Sequence, residues 1–362
     1  MPANAPPRMA DVESQVEPQV EPQVEPEVAA DPGARLSLPN QADAPRARRV
    51  RRALWLVLPL VALAELVGYQ VIVARVPTEA DWDAAAAAVK AELTEADRIV
   101  SAPYWTDPLL REHLGSEMSL EMAAPSDSAV YDRLFELSIR GHRSEAAPTR
   151  PADEETRYGR VTVRRWDLGA STVRYNFVDN IRAATVEHFV DGAPQLCRWR
   201  RAGMSRHTGL AQGHIIPAER FVCGPGIPWV GTTVMEGLDY RPHYCIYQHP
   251  KGPEPMRATF RNIPLGERIV IYGGLYNRHE REGIGAPITA RVRVGGEQMG
   301  ALIHRDLEGW TSAVIPTRSA AEAAADPDAR GDVSIDVVAP NAGYRSFCWT
   351  ATVRTGQRVG EQ

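Results

Sequence analysis

Apolar side chains run almost unbroken from Ala53 to Ala74 before the pattern turns periodic. At about 1.5 Å per helical residue this run reaches ~33 Å, enough for a hydrocarbon core of ~30 Å. Glu65 is the one acid inside it. A central acid costs roughly 3 kcal/mol on the insertion scale, and the Leu, Val and Ile residues together return about 4 to 7. A single transmembrane helix is therefore expected over 53–74, with Pro59 tolerated inside it. The run begins some fifty residues into the chain, and Ala74-Arg75-Val76-Pro77 is a poor cleavage site. Both features favour an uncleaved anchor over a signal peptide.

Beyond the run, periodicity predicts short elements. Asp81 is positioned to cap an alanine-rich helix that extends to about Leu93. Asp107-Pro108 opens a second helix, Leu109 to Leu114, closed by Gly115. Arg98–Ala102 is apolar, while Leu134–Arg140, Arg160–Trp166 and Thr172–Phe177 alternate as strands do. Together they predict a small α/β unit over 79–180. From 181 to 355 helical signals almost vanish. Strands are expected at Thr185–Val190, Tyr244–His249, Met256–Arg261, Arg268–Tyr272, Thr289–Val294, Thr311–Ile315, Val333–Val338 and Phe347–Val353, with one helical turn at Ser319–Ala325. Glycine and proline punctuate these strands, the signature of a β-sandwich or jelly roll. The expected fold class is α+β, with residues 356–362 as a disordered end.

Charge orients this plan. Residues 1–44 carry eight acidic side chains against Arg8 and Arg35, and a Val-Glu-Pro tetrapeptide repeats from Val16. Proline at every fourth position blocks helix and sheet, so residues 1–52 are expected to form a disordered tail. The tail ends in Arg46, Arg48, Arg49, Arg51 and Arg52. Arginines on that side alone place the tail in the cytoplasm and the rest outside a bacterial cytoplasmic membrane. With only Lys90 and Lys251 as lysines, the arginine excess looks like the bias of a GC-rich genome. The net charge of -5 argues against a nucleic-acid partner. Cys197, Cys223, Cys245 and Cys348 all lie on the outer side, where four cysteines suggest disulfides in any of three pairings.

Chemistry-bearing motifs are sparse. His304-Arg305-Asp306-Leu307 matches the start of a kinase catalytic loop, but Thr311 stands where its metal-binding Asn belongs, and no other kinase element occurs. Arg330-Gly331-Asp332 is a tripeptide too short to weigh. His243-x-Cys245-x-x-x-His249 has ligand-like spacing, but on a strand equal parity merely puts residues on one face. No cofactor, metal or catalytic residue is assigned, and an enzyme is the least favoured class.

The stretch from Arg241-Pro242-His243-Tyr244-Cys245 through Ile263-Pro264-Leu265-Gly266, Gly273-Gly274-Leu275, Gly295-Gly296, Gly309-Trp310 and Phe347-Cys348-Trp349 resembles a galactose-binding-like jelly-roll module of bacterial envelope proteins. Residues 81–140, with Ile99-Val100-Ser101-Ala102-Pro103-Tyr104-Trp105, are loosely similar to extracytoplasmic domains of lipid-linked-sugar glycosyltransferases. Those enzymes keep their catalytic carboxylates in a multi-helix membrane domain that this chain lacks, so the activity does not carry over. The jelly-roll resemblance implies that the first and last strands of the module pair. That favours Cys245–Cys348, with Cys197–Cys223 closing a short turn-rich loop. It also implies a ligand site with Trp310 as stacking surface, His304, Arg305 and Asp306 beside it, and Tyr276, Arg278 and Glu280 on the same rim. The expected function is non-catalytic recognition of an envelope glycan. The alternatives are a scaffold that binds envelope proteins and an enzyme acting on envelope carbohydrate.

Overall fold

The computed structural model describes residues 44–201, 215–224 and 229–356. The chain divides into two compact units, Met1–Tyr69 and Gln70–Gln362. The expected acidic tail up to residue 43 and the segment 357–362 lie outside the described residues, as do the side chains of Arg46–Arg52. Helix α1 (Ala44–Val73) begins ahead of the expected Ala53 and contains Pro59. Its apolar side chains from Val57 onward are exposed, Leu58 to 65%. The expected span starts among residues whose side chains are not described. Among the described residues no helix is long and apolar enough to cross a membrane.

In the second unit, α2 (Glu79–Glu92) starts two residues before the expected Asp81. Thr78 is the cap, and Asp81 is the third residue of a capping box. Its carboxylate accepts from Thr78 N at 2.9 Å while Thr78 Oγ1 accepts from Asp81 N at 3.3 Å. Reciprocal satisfaction of two orphan amides outweighs a single Asp cap. Next come β1 (Asp97–Ala102), α3 (Asp107–Leu114), β2 (Arg133–Ile139), β3 (Glu154–Tyr158) and β4 (Val161–Asp167), which form a sheet of order β1-β2-β4-β3. Helix α3 lies between β1 and β2, and this excursion allows the two to pair in parallel. Ile99, Phe135, Leu137 and Val161 pack against Trp82, Val89 and Leu110 of the helices. On the reverse face Arg164 donates to Glu136 at 2.7 Å, Ser138 at 2.8 Å and Glu155 at 2.7 Å. Edge strand β3 has almost no apolar signal, which is how edges avoid pairing with other chains.

Strand β5 (Val173–Asn176) crosses the expected boundary at 180. It pairs with the last strand among the described residues and not with the α/β sheet. The sandwich continues with β6 (Thr185–Val190), β7 (Ala193–Leu196), β8 (Arg198–Arg201), β9 (Glu219–Val222), β10 (Val230–Glu236), β11 (Pro242–Gln248), β12 (Met256–Pro264) and β13 (Arg268–Leu275). After α4 (Asn277–Glu282) follow β14 (Ile288–Val294), β15 (Glu297–His304), β16 (Thr311–Pro316), α5 (Ala320–Ala325), β17 (Arg330–Val338) and β18 (Phe347–Arg354). One sheet has the order β16-β13-β18-β11-β10-β9-β8, with β5 also on β18; the other runs β15-β14-β17-β12-β6-β7. Phe177, Phe260, Ile271, Ile335 and Trp349 fill the space between the sheets. Gln248 is buried there but satisfied: it donates to the Met256 and Ile335 carbonyls at 2.7 and 3.2 Å and accepts from Trp349 Nε1 at 3.0 Å.

All eight strands expected beyond 181 are present within a few residues. Those not anticipated are β7 to β10 and β15. Strand β7 is exposed throughout and contains Pro194, as only an edge strand can. Both expected disulfides form. Cys197–Cys223 has a Cα separation of 4.0 Å, and Cys245–Cys348 one of 5.7 Å.

The segment between α3 and β2 docks on the outer face of the β13–β18 sheet. Ser126 Oγ lies 2.8 Å from Thr350 Oγ1, and Asp127 accepts from Tyr272 Oη at 2.7 Å and pairs with Arg354. Burial alone would raise the Asp127 carboxyl, but the Arg354 charge and these hydrogen bonds hold it below its ordinary value.

Candidate functional site

Strand register brings three connections to one end of the sandwich. Leu275 is opposite Phe347, Ile288 opposite His304, and Thr289 opposite Val338. The β13–β14, β15–β16 and β17–β18 loops therefore converge there. The β10–β11 turn also reaches α4, where Asn277 Nδ2 lies 3.5 Å from Glu236 Oε2 and the Arg281 guanidinium sits 5.1 Å from the Tyr240 ring.

A buried polar framework braces these loops. Arg345, with no exposed side-chain surface, forms a two-pronged pair with Asp306, and Asp306 also accepts from Gly285 N at 2.9 Å. A Cβ at Gly285 would lie 0.9 Å from Arg345 Nη2, so glycine is required for the guanidinium to reach its carboxylate. Glu280 accepts from Gly309 N at 2.5 Å, and His304 Nε2 lies 3.5 Å from the same carboxylate oxygen. Both side chains are wholly buried. His304 Nδ1 is 3.1 Å from Thr311 Oγ1. The α4, 305–310 and 340–346 segments are thus tied to one another from below.

The structure brings Glu280, His304 and Asp306 together, as a brace beneath the surface. Tyr276 is also buried. Arg305 and Arg278 point outward, each beside a local acid: Glu308 at 3.7 Å and Glu282 at 3.3 Å. Trp310 is half-buried and packs against the buried Tyr276 cluster. Its ring stacks on His243 at 4.2 Å and 10°, and its Nε1 donates to Ser126 Oγ at 3.0 Å. It therefore packs sandwich against α/β unit. Sequence spacing around Trp310 contains no trace of the docking that claims it.

The exposed aromatics of this region are Tyr240 and Tyr344, at 58% and 47%. Both hold left-handed backbone, φ 59° and 56°, as does the exposed Leu307 at 68°. Non-glycine residues seldom adopt this conformation, which costs about 1–2 kcal/mol and persists only where surrounding structure imposes it. Tyr344 meets the His279 ring edge-on at 5.4 Å, so the two tyrosines flank α4 through His279 and Arg281. Neither tyrosine was singled out from the sequence. The turn signal Asn341-Ala342-Gly343 just before Tyr344 was the available clue.

The ligand-like spacing His243–Cys245–His249 is explained otherwise, because Cys245 is in a disulfide and His243 stacks on Trp310. His249 lies under the same loops. Burial, aided by the neighbouring His279 and Arg345 charges, pulls its imidazole down to about 4 from 6.5. As pH falls below 6.5 the unfolded chain takes up a proton that the folded site refuses until about pH 4. Folding is expected to lose up to about 3 kcal/mol across that window. Urea denaturation at pH 7 and pH 4 measures the loss, and His249→Phe should make it smaller; an unchanged loss in that variant refutes the assignment.

No family model and no curated protein matches the chain. Among solved structures it is similar to carbohydrate-binding assemblies of Clostridium perfringens. The CBM51-2 and INT domains of ZmpB in complex with GlcNAc share 10% identity at a TM-score of 0.25, over 35% of this chain and 26% of that one. The CBM51 of GH95 in complex with methyl-galactose shares 11% at 0.24, over 34% and 81%. The M60 catalytic domain of ZmpB with its CBM51-1 and CBM51-2 domains shares 10% at 0.28, over 61% and 19%. The chain thus spans about a quarter of the first of these, and likenesses at such TM-scores assign it neither a ligand nor a reaction.

Proposed function

We infer that this is a membrane-anchored envelope protein whose sandwich recognises a glycan through the surface around α4. The observation that carries the reading is the pair of exposed tyrosines, Tyr240 and Tyr344, held in left-handed backbone beside Arg281 and His279. Sugar C–H faces stack on tyrosine rings, while hydroxyls take hydrogen bonds from neighbouring polar groups. The rigid framework below lowers the ordering cost of binding. Anchoring rests on the exposed apolar side chains of α1 and on the arginines that precede the apolar run in the sequence. Two disulfides fit an oxidising compartment outside the membrane.

Tyr344→Gly and Tyr240→Gly test the site. Glycine relieves the left-handed strain but adds freedom to the unfolded chain, so the melting temperature should barely move. Retention on immobilised envelope polysaccharide should fall at least about tenfold, as for an anchor residue. Full retention by both folded variants would overturn the reading. Protease added to intact spheroplasts tests the topology separately: the C-terminal unit should be digested.

A further inference from the structure

We propose that a cleft at the C-terminal end of α1 binds a phosphate-bearing anion. The cleft, about 560 Å³, is lined by Ile72, Ala74, Arg75, Arg140, Arg157 and Arg160. That volume lies within the range of about 300–1,000 Å³ usual for small-molecule sites. All six residues belong to the second compact unit.

Four arginines line this cleft with almost no counter-charge. Among the described residues the carboxylate paired with any of them is Asp81, 3.9 Å from Arg160. Asp81 is already committed to the capping box of α2. Arg157 spends its Nε on the Gly159 carbonyl at 2.8 Å, which leaves its forked Nη groups for a ligand. Two backbone features hold the cluster in place. Gly159, at φ 57°, makes the tight β3–β4 turn, where a Cβ would fall 1.8 Å from Asp81 Oδ1; this presses the Arg157 and Arg160 turn against α2. Arg140 itself adopts left-handed backbone, φ 54°, at the end of β2. A strained arginine that lines one space with three others, with a single carboxylate already committed elsewhere, calls for an anion. Guanidinium forks match phosphate oxygens in pairs, which favours phosphate over a monovalent halide.

The cleft does not depend on the glycan reading. Only the source of the phosphate rests on anchoring: Ala74 ends the apolar run and Arg75 follows it directly, where a lipid headgroup would be at hand. Free phosphate offers the same chemistry. The test uses the full chain in neutral dodecyl maltoside micelles, so its outcome does not require α1 to span a bilayer. Dihexanoyl phosphatidylglycerol is expected to raise the melting temperature by several degrees where dihexanoyl phosphatidylcholine does not. Arg140→Gln/Arg157→Gln, both at exposed positions, should keep the ligand-free melting temperature and weaken the response by roughly 100-fold. An equal shift from inorganic phosphate, at ionic strength matched with chloride, upholds the site and assigns it to the free anion. If neither anion acts, or the variant responds like the parent, the proposal fails.

Discussion

Asp306→Ala is expected to destabilise the folded chain by about 3–5 kcal/mol, a fall in melting temperature of roughly 6–15 °C. The reason is the Arg345 guanidinium, which has no exposed side-chain surface and pairs with Asp306 through two nitrogens. Removing the carboxylate leaves a buried charge without its partner, and that penalty exceeds what the pair itself contributes. The double variant Asp306→Ala/Arg345→Met should therefore recover much of the loss. Gly285→Ala should resemble Asp306→Ala, since its methyl would displace the guanidinium. Because Arg345 follows Tyr344, both single variants should also lose polysaccharide retention. If the double variant is no more stable than Asp306→Ala, the cost arises from packing and not from an unpaired charge. Thermal denaturation of the four proteins decides between these.

Removal of the two disulfides should have unequal effects. Cys245–Cys348 closes a separation of 103 residues, and Cys197–Cys223 one of 26. In the loop-entropy account Cys245→Ala/Cys348→Ala costs about 4–5 kcal/mol, against about 3.5 for the shorter loop. Both cysteines of the longer link are fully buried. Alanine there also loses packing against Met235, Tyr247 and Tyr276, which widens the gap. Chemical denaturation of the two pair variants, without reductant, measures it. An equal or reversed order would mean that the unfolded chain stays compact around one link.

Local pattern carried most of the framework. Alternating apolar residues made most core strands of the sandwich legible, β10 excepted, because a strand that packs on one face must repeat with period two. Two edge strands were not legible. β3 and β7 bury little, so selection leaves no apolar rhythm on them. The cap of α2 lay three residues from the expected one because Thr78 and Asp81 act reciprocally, and either could have been taken for the cap.

For the site, parity and spacing pointed to the loop segments but not to the roles within them. His304, Glu280 and Asp306 do assemble near α4, yet they face inward, because ion pairs and caps between loops are set by chain segments far apart in sequence. Trp310 is claimed by Ser126, 184 positions away, through a docking that no window of sequence contains. Tyr240, Tyr344 and the four arginines of the cleft owe their meaning to backbone conformation and to convergence of separate turns. Periodicity, cysteine number and the apolar run are properties of neighbouring residues, and the one-dimensional chain states them outright. Which side chains end up exposed, paired or facing a common cleft depends on long-range packing, and that arises only when the sheets close over their core.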